Sequence, residues 1–342
     1  MGKCSVKGEV LMSVKVIDLH CDSVSSLMAG KDLRQKVAGV HVDVPRLKEG
    51  GVGLQVFAAY VPASTDESKA FVFANERLNA IDAFTLSDEH LVPVETAAEA
   101  REAMAAGKTG IMTAVENGIS IENSLEKLEQ LRRRKVRILT LVHSAHLPWI
   151  ASCTGTGAFP GSDGLGPFGE QVIDAMNDLG IIPDLSHTAE NAFWAVIKRS
   201  KKPVIASHSC AWSICAAARN LKDDQLKALA DSGGIVGVNF YSAFLSETFR
   251  VECEKNRSPQ TILSVKVPWS VIVDHIDHIV KIAGEDCVAL GSDFDGIPAL
   301  PEGVTGSDFY PVLEAGLESK GYSDKSIEKI FNTNFLRLFD EW

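Results

Sequence analysis

Short apolar runs with strand character alternate with segments of helical periodicity along most of the chain, and the alternation repeats about eight times. The runs fall at 14–22, 52–60, 110–116, 136–143, 181–187, 203–208, 234–240 and 287–293. Helical patterns near 66–87, 122–134, 168–179, 189–199, 222–231, 268–283 and 324–338 follow most of them. Near-continuous apolar strands separated by helices are what a parallel sheet requires, because each strand needs a long return path. Eight such units predict an α/β fold, a (β/α)8 TIM barrel, formed as a single domain over residues 1–342. The 45% hydrophobic content supplies its core.

The polar residues that end these runs carry the functional reading. The first run closes in His20-Cys21-Asp22. Side chains alternate along a strand, so His20 and Asp22 share a face while Cys21 turns toward the helices. Glu116, His143, His187, His208 and Asp293 each fall at the end of a different later run. Active sites of such barrels lie at the C-terminal ends of the strands, so these residues are expected to converge there. His20 with Asp22 forms one metal grip, His187 with His208 a second, and Glu116 can give one oxygen to each of two ions. Imidazole and carboxylate donors suit Zn2+, so the expectation is a binuclear site with two Zn2+ per chain. Asp293 has no histidine companion at its strand end and is placed as the general acid/base.

Composition excludes other classes. The net charge of −11, from 34 basic and 45 acidic residues, argues against nucleic acid or an anionic membrane as partner. No apolar segment reaches the length of a membrane span, and neither a secretory signal nor an anchor tail is read at the ends, so a cytoplasmic protein is expected. The seven cysteines lack CxxC spacing and are expected to be reduced thiols. The basic run Arg132-Arg133-Arg134-Lys135 reads as a solvated helix end.

Several ordered motifs carry a resemblance. Asp18-Leu19-His20-Cys21-Asp22, Asp184-Leu185-Ser186-His187, Ser207-His208-Ser209, Arg219-Asn220 and Gly291-Ser292-Asp293-Phe294-Asp295-Gly296 resemble the membrane dipeptidase (renal dipeptidase) family of zinc peptidases within the amidohydrolase superfamily. The stretch Val42 to Gly51 and the ending Asn332-Thr333-Asn334-Phe335-Leu336-Arg337 are similar as well. The resemblance implies hydrolysis of dipeptides, L-Xaa-L-Xaa and L-Xaa-D-Xaa, by a soluble bacterial-type relative, and a homodimer. It puts one zinc on His20, Asp22 and Glu116 and the other on Glu116, His187 and His208. It further implies that His143 binds substrate and steadies the tetrahedral intermediate, and that Arg219 binds the dipeptide carboxylate. Asn117 stands where relatives often have glycine, a departure that bears on the pocket wall.

Tyr241, Trp149, Phe159 and Phe240 are candidates for a side-chain pocket, Tyr241 being carried forward as a substrate-binding residue. His146, in the long connection 144–167, is read as a plain loop residue, with contact to substrate as the alternative; that connection and 241–264 exceed a simple barrel turn. His275 and His278 are read as helix-packing residues, and His41 and His90 have no evident partner. Two alternatives stand beside the dipeptidase reading. One is another amidohydrolase, such as an N-acyl-D-amino acid deacylase; the other is a non-catalytic binding barrel.

Overall fold

The computed structural model describes residues 14–159, 164–255 and 264–342; residues 1–13, 160–163 and 256–263, which include parts of both long connections, lie outside the described residues. Its strands are β1 (Val16–Cys21), β2 (Val52–Tyr60), β3 (Leu91–Pro93), β4 (Thr109–Glu116), β5 (Ile138–Thr140), β6 (Ile182–Asp184), β7 (Ile205–Ser209), β8 (Ile235–Val238) and β9 (Val288–Leu290). All pairs among the described strands are parallel. Pairing runs β1-β2-β4-β5-β6-β7-β8-β9 and returns to β1, a closed eight-stranded barrel of the expected kind. β3 is an unforeseen addition: Leu91–Pro93 pairs with the start of β4, on the edge that β5 takes over from Ala114 onward.

Ile17, Val56, Met112, Ile138, Ile182, Ile205, Ile235 and Ala289, one from each barrel strand, join in an inner cluster with the C-terminal residues Phe335 and Leu338. The opposite strand faces, including Cys21, Phe57 and Val115, pack in a larger cluster with the helices outside. The helices follow local rules. Pro167–Leu179 has proline in its first turn and stops at Gly180, whose φ of 74° costs glycine little. Ala97–Ala105, absent from the sequence-based assignment, starts with a capping box between Thr96 and Glu99.

Two irregularities bear on the site. Asp18 pairs with Gln55 and Cys21 with Phe57, so three steps on β1 oppose two on β2; likewise Ala206 pairs with Val236 and Ser209 with Val238. Each is a bulge, which re-aims the side chains beside it. They lie at His20 and at His208.

Candidate metal centre

The β1 bulge brings His20 to Glu116 and His208 on the side where Ile17 and Leu19 already sit, whereas strict alternation would have sent His20 outward. Glu116 is the last residue of β4. His143, His187 and Asp293 lie three residues beyond the ends of β5, β6 and β9, so the strands stop earlier than the apolar runs imply. At His187 and Asp293 the backbone takes φ of 71° and 61°, and both side chains line the cavity at the barrel mouth. Asn117, where glycine was expected from relatives, also has a positive φ of 91°. Its amide compensates by donating to Val61 O at 2.9 Å and accepting from Ile119 N at 3.3 Å.

The expected ligands meet. Glu116 Oε2 lies 3.6 Å from His20 Nε2, while Glu116 Oε1 lies 3.0 Å from His187 Nε2 and 3.5 Å from His208 Nε2. The two carboxylate oxygens therefore face different imidazoles. His20 Nε2 is 3.4 Å from Asp22 Oδ2, and His187 and His208 bring their Nε2 atoms to 3.0 Å from each other. Among the described residues, three overlapping groups have donor atoms within 4.8 Å: His20, Glu116 and His208; Glu116, His143 and His187; His20, Asp22 and Asp293. His20 Nε2 and Asp22 Oδ1 are buried without a hydrogen-bond partner among the described residues. Orphaned, converging nitrogen and oxygen donors of this kind fit a metal ion.

Electrostatics follows from this crowding. Burial, with Arg219 for His187 and His20 for His208, holds both imidazoles well below their ordinary pKa, so they present lone pairs. Burial raises the Glu116 carboxyl, but His20 and the contacts to His187 and His208 outweigh it and hold it well below the usual range. Burial pushes Asp293 up to about 8; His20 opposes this, and Asp22 and Glu116 add to it. Asn239, which the sequence reading missed, donates from Nδ2 to Asp293 Oδ2 at 2.8 Å and accepts from Tyr241 N at 2.6 Å. A Cβ at Gly296 would overlap the carboxylates of Asp22 and Asp293, so only glycine lets that turn approach them.

The cluster opens into a cavity of about 370 Å³ whose walls include Tyr60, His143, Arg219, Tyr241, Phe244 and Ile297. Arg219 is 7% exposed; it donates to His208 O at 3.1 Å and Ser209 Oγ at 3.4 Å, and its Nε has no partner among the described residues. Its guanidinium lies 5.5 Å over the Phe244 ring, which Tyr241 meets edge-on at 4.9 Å. Of the other aromatic candidates, Trp149 packs on Phe168 and Phe240 on Phe294, Phe309 and Tyr310, away from the cavity wall, and Phe159 neighbours His146. His146 serves its own loop, accepting from Ser152 N at 3.0 Å. His41 and His90 do have partners: His41 Nδ1 accepts from Asp295 N at 3.0 Å, and His90 Nε2 meets Thr109 Oγ1 at 3.2 Å.

A parallel barrel that gathers imidazoles and carboxylates at the C-terminal ends of its strands around an open cavity has the architecture of a metal-dependent hydrolase. The family is narrower than that. The chain belongs to the membrane dipeptidase family (Peptidase family M19), whose model matches residues 6–342. It is 32% identical over 299 residues to Dipeptidase 3 of Mus musculus and 31% identical over 296 residues to that of Rattus norvegicus, in alignments covering 87% and 86% of this chain. It spans 57% of the length of these curated relatives. Among solved structures, it is 27% identical to a metallo peptidase from Rhodobacter sphaeroides liganded with a phosphinate mimic of the dipeptide L-Ala-D-Ala (TM-score 0.86, covering 96% of this chain and 99% of that one). It is 28% identical to dipeptidase AC, a metallo peptidase of family M19 (TM-score 0.85, 96% and 99% covered).

Proposed function

We propose that this protein is a zinc-dependent dipeptidase that cleaves L-Xaa-L-Xaa and L-Xaa-D-Xaa dipeptides. The observation that carries the substrate reading is Arg219, a buried guanidinium bonded only to neutral groups among its described hydrogen-bond partners, at the wall of the metal-type cavity. A desolvated cation of this kind calls for an anionic ligand, and the planar fork fits a carboxylate. Its bond to His208 O ties it to the backbone of a metal-type residue, so the span from carboxylate to scissile bond is set by the protein. Such a fixed span favours two-residue substrates.

His20, Asp22 and Glu116 would hold one Zn2+, and Glu116, His187 and His208 the other. When bound, the ions activate water and polarise the scissile carbonyl. Asp293, oriented by Asn239 and held ionised by the positive charge of ions bound beside it, takes the proton from the attacking water and returns it to the leaving amine. His143, whose ring packs 4.8 Å from Tyr60 and 4.2 Å from His187, is held below its ordinary pKa chiefly by burial. A neutral imidazole there offers one N–H to the oxyanion of the tetrahedral intermediate. Tyr241 lines the cavity as a side-chain wall.

A cytoplasmic setting is part of the proposal; Cys21, Cys153, Cys210, Cys215, Cys253 and Cys287 are free thiols, in keeping with a reducing compartment. No helix among the described residues is long and apolar enough to cross a membrane. The test is a kinetic panel of dipeptides, matched dipeptide amides, tripeptides and N-acyl amino acids with zinc present. Turnover confined to free-acid dipeptides supports the proposal. Preference for N-acyl amino acids would assign the site to another amidohydrolase, and no turnover of any of them would leave a binding barrel.

A further inference from the structure

Asp184, the last residue of β6, is fully buried and accepts four hydrogen bonds: from Thr140 Oγ1 at 2.5 Å, Ser186 N at 3.0 Å, Ser207 N at 2.8 Å and Ser207 Oγ at 2.6 Å. Two of the donors are backbone N–H groups, which favour the ionised carboxylate. An ionised carboxylate only accepts, so the Ser207 hydroxyl must direct its proton at Asp184. A serine hydroxyl carries one proton. The Ser207 oxygen also lies 2.7 Å from His208 Nδ1, and with its proton already committed it can only accept there. The ring proton of His208 is therefore on Nδ1, which leaves Nε2 bare. Nε2 is the atom that faces His187 Nε2 and Glu116 Oε1.

We infer that Asp184 and Ser207 are positioning residues for the metal centre, a carboxylate–hydroxyl–imidazole relay that fixes the His208 tautomer and aims its Nε2 lone pair at the ion. The inference rests on the reading of His208 as a ligand. The hub reaches further than one ring. Ser186 and Ser207, whose N–H groups Asp184 holds, directly precede His187 and His208, and Ser186 Oγ accepts from His208 N at 3.1 Å. One buried anion thus sets both imidazoles of the same half of the site. A parallel arrangement serves the other half: Asp18 accepts from Ser292 N at 2.9 Å, Ser292 Oγ at 2.6 Å, Tyr310 Oη at 2.7 Å and His20 N at 3.3 Å, and Ser292 precedes Asp293. Gly237 and Gly291 leave the room that the bulged Ser207 needs, since a Cβ on either would overlap its carbonyl oxygen.

The test pairs a spectroscopic and a binding measurement on the full chain. In metal-free protein labelled with 15N-histidine, His208 is expected as the Nδ1–H tautomer, and in Ser207→Ala as a mixture. Zinc affinity by chelator competition should fall by about 10–100-fold at one of two sites in Ser207→Ala, the usual range for an outer partner of a ligating histidine. Ser207→Thr, which keeps the hydroxyl, should recover most of it. Thr140→Val removes a donor to Asp184 without touching the Ser207–His208 contact and should cost clearly less. A wild-type His208 protonated on Nε2, unchanged zinc affinity in Ser207→Ala, or an equal loss in Thr140→Val would each overturn the relay. Unchanged zinc affinity in His208→Ala would instead overturn the ligand reading, which the tautomer measurement does not depend on.

Discussion

Replacing Arg219 by methionine keeps an unbranched apolar stem over Phe244 and removes the charge. Of the five N–H donors on the guanidinium, two are used on His208 O and Ser209 Oγ, which leaves Nε–H and one hydrogen on each terminal nitrogen for a ligand. At 7% exposure the group is largely desolvated, so an anion bound there gains little screening from water. Truncating one partner of a buried, hydrogen-bonded charge pair costs about 2–5 kcal/mol, or roughly 30-fold to several-thousand-fold. The variant should therefore lose that factor in kcat/KM on a free-acid dipeptide while retaining its metal. The lost bond to His208 O adds about 1 kcal/mol, which would appear in thermal stability and equally on every substrate. The dipeptide amide separates the two effects: it lacks the carboxylate, so it should be a poor wild-type substrate and nearly insensitive to the change. Arg219→Lys should recover only part, because an ammonium cannot make the planar fork. Equal losses on acid and amide would refute the reasoning and make Arg219 a support for the β7 loop.

Asp293→Asn should keep its bound metal yet lose kcat by on the order of 10²–10⁴, read by elemental analysis and steady-state kinetics on the same preparation; lost metal would make it a ligand. His275 accepts from Ala211 N at 3.1 Å and meets Leu245 O at 3.1 Å, and burial lowers its pKa from 6.5 to about 4. The unfolded chain therefore takes up the proton first as pH falls, so stability is full above about 6.5 and declines toward 4, by about 3 kcal/mol in total. His275→Gln should flatten that decline in urea titrations at pH 4.5 and 8, and parallel declines would exclude His275 as the source. Gly291→Ala forces a Cβ into the Ser207 backbone carbonyl and should lower stability by about 1–3 kcal/mol or more, read as a fall in melting temperature; an unchanged value would show that β7 can yield there.

The barrel was legible because parallel strands buried on both faces are written as continuous apolar runs, and the site because imidazoles and carboxylates interrupt them at one end. What escaped were features made by distant pairing. β3 is three residues long, and its pairing with Thr109 to Ile111 leaves no pattern of its own. The bulges at His20 and His208 depend on register against β2 and β8, which no single strand encodes. Asn239 reads as an ordinary polar residue after an apolar run until Asp293, 54 residues away, is brought to its amide. Asp184 and Asp18 were visible as acids just ahead of histidines, yet their donors Ser207 and Ser292 come from other strands. His41 has no evident partner in the sequence for the same reason, its contact being with Asp295.

Glu116 divides its two oxygens between His20 and the His187–His208 pair, a division that a two-ion site requires. The most direct measurement is a zinc titration of metal-free protein, following bound metal and L-Ala-D-Ala hydrolysis together, for wild type and Glu116→Ala. Activity should saturate at two zinc ions per chain in the wild type, and the variant should bind both ions more weakly and lose turnover. Full activity without bound metal, or a Glu116→Ala protein that still binds two ions tightly, would contradict the bridging role of Glu116.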